Sequence, residues 1–249
     1  MRLAGSAVVV FAKVPQPGRV KTRLLGRLTP QQAAEAHRAC LEDTIRQVAR
    51  VPGGQKGLRV AAGPDQARKL AAALRLDRPW KVGVQRGRDL GARLHEAFAS
   101  FFRAGYARVV VVGSDTPWMG SERILLALRL LNAADVVLGP SADGGYYLVG
   151  ARRLVPQMFR GIPWGTSKVF ERTVRALESA RVSYRLLPRD FDLDRPEDLA
   201  RAAELLRGNP MRAPALARLL ERLKADLISR SSRRPAPARR SKTRRPGRG

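Results

Sequence analysis

Four cations crowd one short loop: Lys13, Arg19, Lys21 and Arg23 alternate with Pro15, Pro17 and Gly18 directly after the apolar run Ala7-Val8-Val9-Val10-Phe11. Gly18 adds almost no side-chain volume, so backbone and several positive charges can approach one polyanion together. A diphosphate fits that description. Far along the chain, Val109-Val110-Val111-Val112 runs into Gly113-Ser114-Asp115-Thr116-Pro117. That context fixes the Asp115 carboxylate at the mouth of a buried strand, where it could hold a hard divalent cation, Mg²⁺ or Mn²⁺, together with phosphate oxygens. Capping of the following turn explains the same tetrapeptide equally well.

A second acidic stretch, Phe191-Asp192-Leu193-Asp194-Arg195-Pro196-Glu197-Asp198, stands just before a helix start. Alternation along an extended segment points the side chains of Asp192 and Asp194 the same way. Asp194 is well placed as the helix N-cap with Glu197 three residues on, so Asp192 is the expected metal ligand beside Asp115. In Asp143-Gly144-Gly145-Tyr146-Tyr147, two glycines after an Asp permit close approach of a ligand, more than an ordinary turn requires. The tyrosines should then face opposite sides of the next strand. Ile162-Pro163-Trp164-Gly165-Thr166-Ser167-Lys168 reads as a loop entering a helix, Thr166 or Ser167 capping it, with Trp164 either walling a sugar or base or packing in the core. The segment from Gln85 to Arg93, including Gly91, suits a nucleotide-facing loop. His37 and His95 read as surface or structural residues without a ligand companion, and Cys40 as packing on an apolar helix face.

These groups need a scaffold, and the chain supplies alternating strands and helices. Strands are expected at Ala7 to Phe11, Leu58 to Ala62, Val82 to Gln85, Arg108 to Val112, Asp135 to Leu138, Tyr146 to Val149 and Tyr184 to Leu187. Helices are expected from Pro30, over Pro64 to Leu74, Asp89 to Ala104, Ser121 to Leu131, Lys168 to Ser179, Pro196 to Leu206 and Pro214 to Leu227. Thr29-Pro30-Gln31-Gln32 carries a hydroxyl N-cap, Pro at the first helical position and Gln at the third. Such alternation predicts an α/β, three-layer, mostly parallel doubly wound sheet. Ligands then sit beyond the strand ends where strand order reverses. If the first strand and Val109–Val112 are neighbours there, their loops share one crevice.

The chain has 249 residues, 44% of them hydrophobic, and one Cys, enough for one sizeable core and no internal disulfide. Residues 1–207 form the expected domain, 208–228 a helical extension and 229–249 a disordered basic tail. No apolar run is long enough to span a bilayer, and with no leader pattern a cytoplasmic location is expected. The net charge of +27 invites a nucleic-acid partner, but Ser229 to Gly249 holds nine of the 48 basic residues and no acidic one. Incidental polyanion binding by that tail is the expectation, and a basic binding protein is the non-enzymatic alternative.

Taken together, Phe11-Ala12-Lys13-x-Pro15-x-x-Gly18-x-Val20-Lys21-Thr22-Arg23-Leu24, Gly113 to Pro117, Asp143 to Tyr147, Ile162 to Ser167 and Asp192-x-Asp194-x-Pro196-Glu197-Asp198-Leu199 resemble the glycosyltransferase-A-like family of largely unknown function in the nucleotide-diphospho-sugar transferase superfamily. Some of its members are described as glycosyltransferases of arsenosugar biosynthesis. The resemblance spans roughly Ser6 to Leu206. It implies a Rossmann-like nucleotide-binding half, an acceptor half and a divalent metal on the diphosphate. Phe11, Ala12, Lys13, Gly18, Lys21, Arg23, Gly91 and Ser114 would contact nucleotide or phosphate, and Asp115 and Asp192 the metal. Gly144, Gly145, Tyr146, Trp164 and Thr166 would line the acceptor side, with Lys21 and Asp143 catalytic. The superfamily's Asp-x-Asp signature is incomplete, because Pro117 stands two positions after Asp115. The resemblance implies metal-dependent transfer from a nucleotide sugar to a small-molecule acceptor, while the missing second Asp brings in a further group of similar enzymes. The alternative is nucleotidyl transfer from a nucleoside triphosphate to a phosphorylated small molecule, with pyrophosphate released.

Overall fold

A computed structural model describes residues 5–77 and 79–232, with the side chains of 225–232 excepted; the expected basic tail lies almost wholly outside the described residues. Parallel strands buried on both faces must be apolar throughout, and the valine-rich segments meet that requirement. β1 (Ser6–Ala12) and β4 (Arg108–Val112) lie side by side and parallel, Val8 opposite Val110 and Val10 opposite Val112. β2 (Gln55–Val60) and β3 (Trp80–Val84) extend the sheet beyond β1, while β5 (Val136–Pro140), β6 (Tyr146–Ala151) and β7 (Tyr184–Leu186) extend it beyond β4. The order is β3-β2-β1-β4-β6-β5-β7, with β6 alone antiparallel, inserted between β4 and β5. Order reverses between β1 and β4, so their carboxyl ends share the expected crevice.

Alternate residues of β1 feed separate cores. Val8, Val10 and Ala12 pack with Leu41, Ile45 and Val48 of α1 (Pro30–Ala49), Ala67 and Leu70 of α2 (Pro64–Ala73), and Ile124 and Leu128 of α4 (Ser121–Leu130). Ala7 and Val9 pack with Leu94, Phe98 and Phe101 of α3 (Leu90–Arg103) and Leu177 of α5 (Val169–Ser179). Three layers result. The helix starts follow their local chemistry. Thr29 Oγ1 accepts from the Gln32 N–H at 3.2 Å while Gln32 Oε1 accepts from the Thr29 N–H at 3.0 Å. Asp89 accepts from the Ala92 N–H at 2.8 Å.

The two last helices differ from expectation. α7 (Pro214–Ser232) is no appendage: Ala215, Leu216, Leu219 and Leu223 share a third core with Ala36 and Cys40 of α1 and with Ala202 and Leu206 of α6 (Pro196–Gly208). Its first N–H groups, on Ala215 and Leu216, donate to Asp43 at 3.0 and 2.9 Å. At α6 the N-cap is Arg195 rather than Asp194, because Pro196 takes the first helical position. Asp198 folds back to accept from the Arg195 N–H at 2.7 Å and the Asp194 N–H at 3.0 Å. The Asp194 carboxylate is thereby left for other work. Among the described residues, no helix is long and apolar enough to cross a membrane.

Candidate active site

After β1 the chain turns through Gly18, at φ 74°, and reaches Lys21 in the left-handed region at φ 49°, ψ 37°. A side chain with a Cβ pays of order 1–2 kcal/mol for that conformation, so something must hold it. The Lys21 ammonium provides the reason. It donates to Asp115 Oδ1 at 2.5 Å and to Asp194 Oδ1 at 3.1 Å. Its side chain is only 2% exposed, against 40% and 32% for the two carboxylates. Two carboxylates thus open toward solvent while their counter-ion is enclosed beneath them.

Backbone pairing explains why residues so distant in sequence meet. Leu193 N–H donates to the Asp115 carbonyl at 2.8 Å, while Asp190 N–H donates to the carbonyl of Pro140 at the end of β5 at 3.1 Å and the Asp190 carbonyl accepts from Ala142 N–H in the following turn at 2.8 Å. Phe191 and Leu193 are buried, Phe191 against Trp118 at 4.3 Å between ring centroids, which turns Asp192 and Asp194 to the cleft. Their carboxylates then part company. Asp192 accepts from Thr116 Oγ1 at 2.5 Å and Ser141 Oγ at 2.6 Å, while Asp194 takes Lys21, with Arg23 at 3.7 Å.

The charges set one another. Burial alone would push the Asp115 carboxyl up, but the Lys21 ammonium, which also donates to it, holds it below the usual carboxylate range. Burial opposes the Lys21 charge too, and Asp115 and Asp194 more than compensate, keeping it a cation well above neutrality. Burial, with Asp115 nearby, pushes Asp192 up to about 7, so the hydroxyls of Thr116 and Ser141 attend a carboxyl that titrates near neutrality. His37, on α1, donates from Nε2 to the Lys13 carbonyl at 3.2 Å and sets Nδ1 3.9 Å from Asp115. Burial lowers its pKa, so the neutral ring presents a lone pair to the cluster.

This cluster floors a cleft of about 980 Å³ lined also by Lys13, Thr22, Arg23, Asp143, Gly145, Tyr146, Trp164, Thr166, Asp192, Arg195 and Arg201. The profile of a family described as "uncharacterized protein conserved in bacteria" (DUF2064) matches residues 44–166. A presumed nucleotide-diphospho-sugar transferase from Desulfovibrio desulfuricans G20 is 33% identical over 92% of this chain and 98% of its own, with a TM-score of 0.82. The chain belongs to that family. Two more distant structures share its fold. One is 4-diphosphocytidyl-2C-methyl-D-erythritol synthase from Anaerococcus prevotii DSM 20548, 11% identical over 82% of this chain and 98% of its own, TM-score 0.56. The other is Rv0371c from Mycobacterium tuberculosis H37Rv in complex with manganese, 20% identical over 80% and 97%, TM-score 0.51. No curated protein matches the sequence.

Within this family member, the residues picked out by sequence fall into groups. Lys13, Lys21, Arg23, Asp143, Gly145, Tyr146, Trp164, Thr166 and Asp192 line the cleft; Asp115 is not among its lining residues but is bonded to Lys21. Phe11, Ala12, Gly18, Ser114 and Gly144 are not among its lining residues. Their parts are elsewhere: Ala12 and Ser114 are buried at strand ends, and Gly144, at φ 90°, passes so close to Ser167 that a Cβ would stand 2.0 Å from its carbonyl oxygen. The Asp143 turn is closed by Gly145 N–H on Asp143 Oδ1 at 2.9 Å, and Phe170 N–H donates to the Gly144 carbonyl at 2.8 Å, tying the turn to α5. Tyr146 and Tyr147 do face opposite cores, Tyr146 edge-on to Trp164 at 6.2 Å between centroids. Thr166 closes its own turn on the Pro163 carbonyl at 2.8 Å, and Lys168 rather than Thr166 or Ser167 is the cap of α5. Gly91 packs against Trp164 and lines a neighbouring cavity of about 290 Å³ with His95 and Arg160.

Sequence reasoning weighed Asp194 but preferred Asp192 as the ligand, read His37 as a surface or structural residue, and gave Thr116 and Ser141 no part in the site. Asp194 carried a signal, its two-residue offset from Asp192, but its assignment to the helix cap concealed it. Among the described residues no group of three or more His, Cys, Asp or Glu forms a metal cage. Asp115 and Asp194 nonetheless fit the one or two carboxylates that Mg²⁺ takes from a protein when phosphate oxygens and water complete its shell.

Proposed function

We propose that this protein transfers a glycosyl group from a nucleotide sugar to a small-molecule acceptor. The observation that carries this reading is the meeting of Lys21 with Asp115 and Asp194 where β1 and β4 end, Lys21 and Asp194 lining one cleft. The diphosphate of the donor would lie over these groups, with Lys13, Lys21 and Arg23 neutralising the charge that builds as the nucleoside diphosphate departs. Preorganised charge of that kind is commonly the largest catalytic contribution. A divalent cation on Asp115 and Asp194 would supply Lewis-acid neutralisation of the same diphosphate.

The acceptor would occupy the side bounded by Tyr146, Trp164, Gly145 and Thr166. Its hydroxyl oxygen would bond the anomeric carbon as the bond from that carbon to the phosphate oxygen breaks. Asp143 is the carboxylate that would take the hydroxyl proton, its orientation held by the Gly145 N–H. Gly144 and Gly145 shape this turn, which supports placing the acceptor beside it.

A second reading has its own support. Pro117 occupies the position where an Asp-x-Asp pair would put its second carboxylate, and Asp194 arrives from a distant segment instead. That arrangement suits attack by an acceptor phosphate on the α-phosphate of a nucleoside triphosphate, with pyrophosphate leaving in line. The products discriminate. Incubation with nucleotide sugars or nucleoside triphosphates, each with Mn²⁺, should release a nucleoside diphosphate on the first reading and pyrophosphate on the second. If no nucleotide of either class raises the thermal midpoint in the presence of Mn²⁺, neither reading stands.

A further inference from the structure

Lys21 combines three properties that a simple phosphate-binding lysine does not need. Its ammonium is enclosed, at 2% exposure, although a lysine waiting for a ligand could extend into the cleft. It lies between two carboxylate oxygens, at 2.5 and 3.1 Å, on the side where both acids converge. Its backbone sits in the left-handed region, and its carbonyl accepts from Leu24 N–H at 2.9 Å to start the single turn Thr22–Leu24. Moving the ammonium off the pair breaks both contacts, and its backbone is joined directly to the turn that carries Arg23.

We propose that Lys21 is the resident cation of the Asp115–Asp194 pair, and that a divalent cation reaches those acids only with a polyphosphate that draws Lys21 away. This inference rests on the reading that the pair is the metal-binding element of the cleft. While Lys21 stays, a divalent ion at the same oxygens would stand within a few ångströms of the enclosed ammonium, and the two positive charges would repel. A diphosphate in the cleft changes the balance. It offers Lys21 a second anionic partner beside Thr22 and Arg23, which also line the cleft, and it brings the oxygens that complete a cation's shell. Departure of the ammonium also lets residue 21 leave its disfavoured backbone conformation. Metal and polyphosphate should accordingly bind with positive coupling, each raising affinity for the other by the same factor. In isolation the ammonium partly neutralises the pair and weakens its hold on stray cations.

The test is Mn²⁺ binding, read from the electron-paramagnetic signal of the free ion, in the full-length protein and in Lys21→Met. Without polyphosphate, Lys21→Met should bind Mn²⁺ at least about tenfold more tightly than the parent, since an opposing charge has gone. The gain should vanish in Lys21→Met/Asp115→Asn. Because Met leaves two acids facing each other, Lys21→Gln is measured alongside, and circular dichroism confirms that both variants fold. In either variant the thermal midpoint should fall in EDTA and recover with Mn²⁺, whereas that of the parent should respond to Mn²⁺ only when inorganic pyrophosphate is added. If the variants bind Mn²⁺ no better than the parent while pyrophosphate and Mn²⁺ together stabilise the parent, the inference fails and the metal-binding reading survives. Tight binding of Mn²⁺ alone by the parent also overturns the inference. If Mn²⁺ has no effect on any form, with or without pyrophosphate, the metal-binding reading fails as well.

Discussion

Two acids, Asp43 and Asp115, have opposite roles because their surroundings and partners differ. The Asp43 side chain is wholly enclosed, and its oxygens accept from Arg46 and from the Ala215 and Leu216 N–H groups at the start of α7. Backbone donors cannot move away without unfolding the helix they belong to, so Asp43 is part of the scaffold. Asp115 keeps 40% of its side chain open and leans on an ammonium at the end of a flexible stem. A counter-ion of that sort can be exchanged for a ligand. The contrast sets an enclosed acid held by fixed backbone donors against a partly open one held by a movable cation, and the second is the one available for chemistry.

The largest effect should come from Asp115→Asn, which should reduce turnover by about 10²–10³-fold, as expected for loss of one preorganised charge. Rates of nucleotide release check this, and an unimpaired variant would place Asp115 with Asp43 as scaffold. Asp43→Ala should cost about 3 kcal/mol of stability, the scale for stripping one partner from a buried charge, with nucleotide-induced stabilisation retained. Urea denaturation measures the first part and thermal shift the second. If Asp43→Ala instead abolished ligand binding while remaining stable, the division between the two acids would collapse.

Gly144→Ala offers an intermediate test, because a Cβ would press on the Ser167 carbonyl in a region of φ that L-residues avoid. We expect a loss of about 2 kcal/mol and a raised acceptor KM with smaller change in donor binding. The smallest effect concerns Asp192. Its folded pKa, raised by burial and by Asp115 to about 7, exceeds its ordinary value, so the native state holds a proton that the unfolded chain releases. The sign follows: this group favours the folded state at low pH, and its contribution declines as pH rises from about 4 through about 7. The stability of the parent relative to Asp192→Asn, from urea midpoints, should therefore be lower at pH 8 than at pH 5. A difference independent of pH would show that the carboxyl is not raised.

Much of the fold was legible because its signals are local. The run Arg108–Val112 became β4 at the expected residues, and the Thr29 to Gln32 box starts α1 as its chemistry requires. Asp115 was visible from its place after four valines. The choice between Asp192 and Asp194 was harder, since the two alternate along one segment and Asp194 looked placed to cap the helix. Pro196 shifted the cap to Arg195, Asp198 satisfied the free N–H groups, and Asp194 was released to Lys21. His37 gave no sign at all, being one polar residue within a long amphipathic helix. Antiparallel β6 beside β4 was equally hidden, because periodicity distinguishes a strand from a helix but not one neighbour or direction from another.

The sequence by itself determined that strands and helices alternate, that a cationic loop follows the first strand, and that an acid stands at the tip of the fourth. Those properties depend on apolar spacing, turn residues and caps within a few positions of one another. Only the tertiary structure decided which acids meet which cation. Lys21 bonds to groups 94 and 173 residues away, and such pairings are selected by how strand ends align and by which buried charges can satisfy one another, quantities that no local pattern contains.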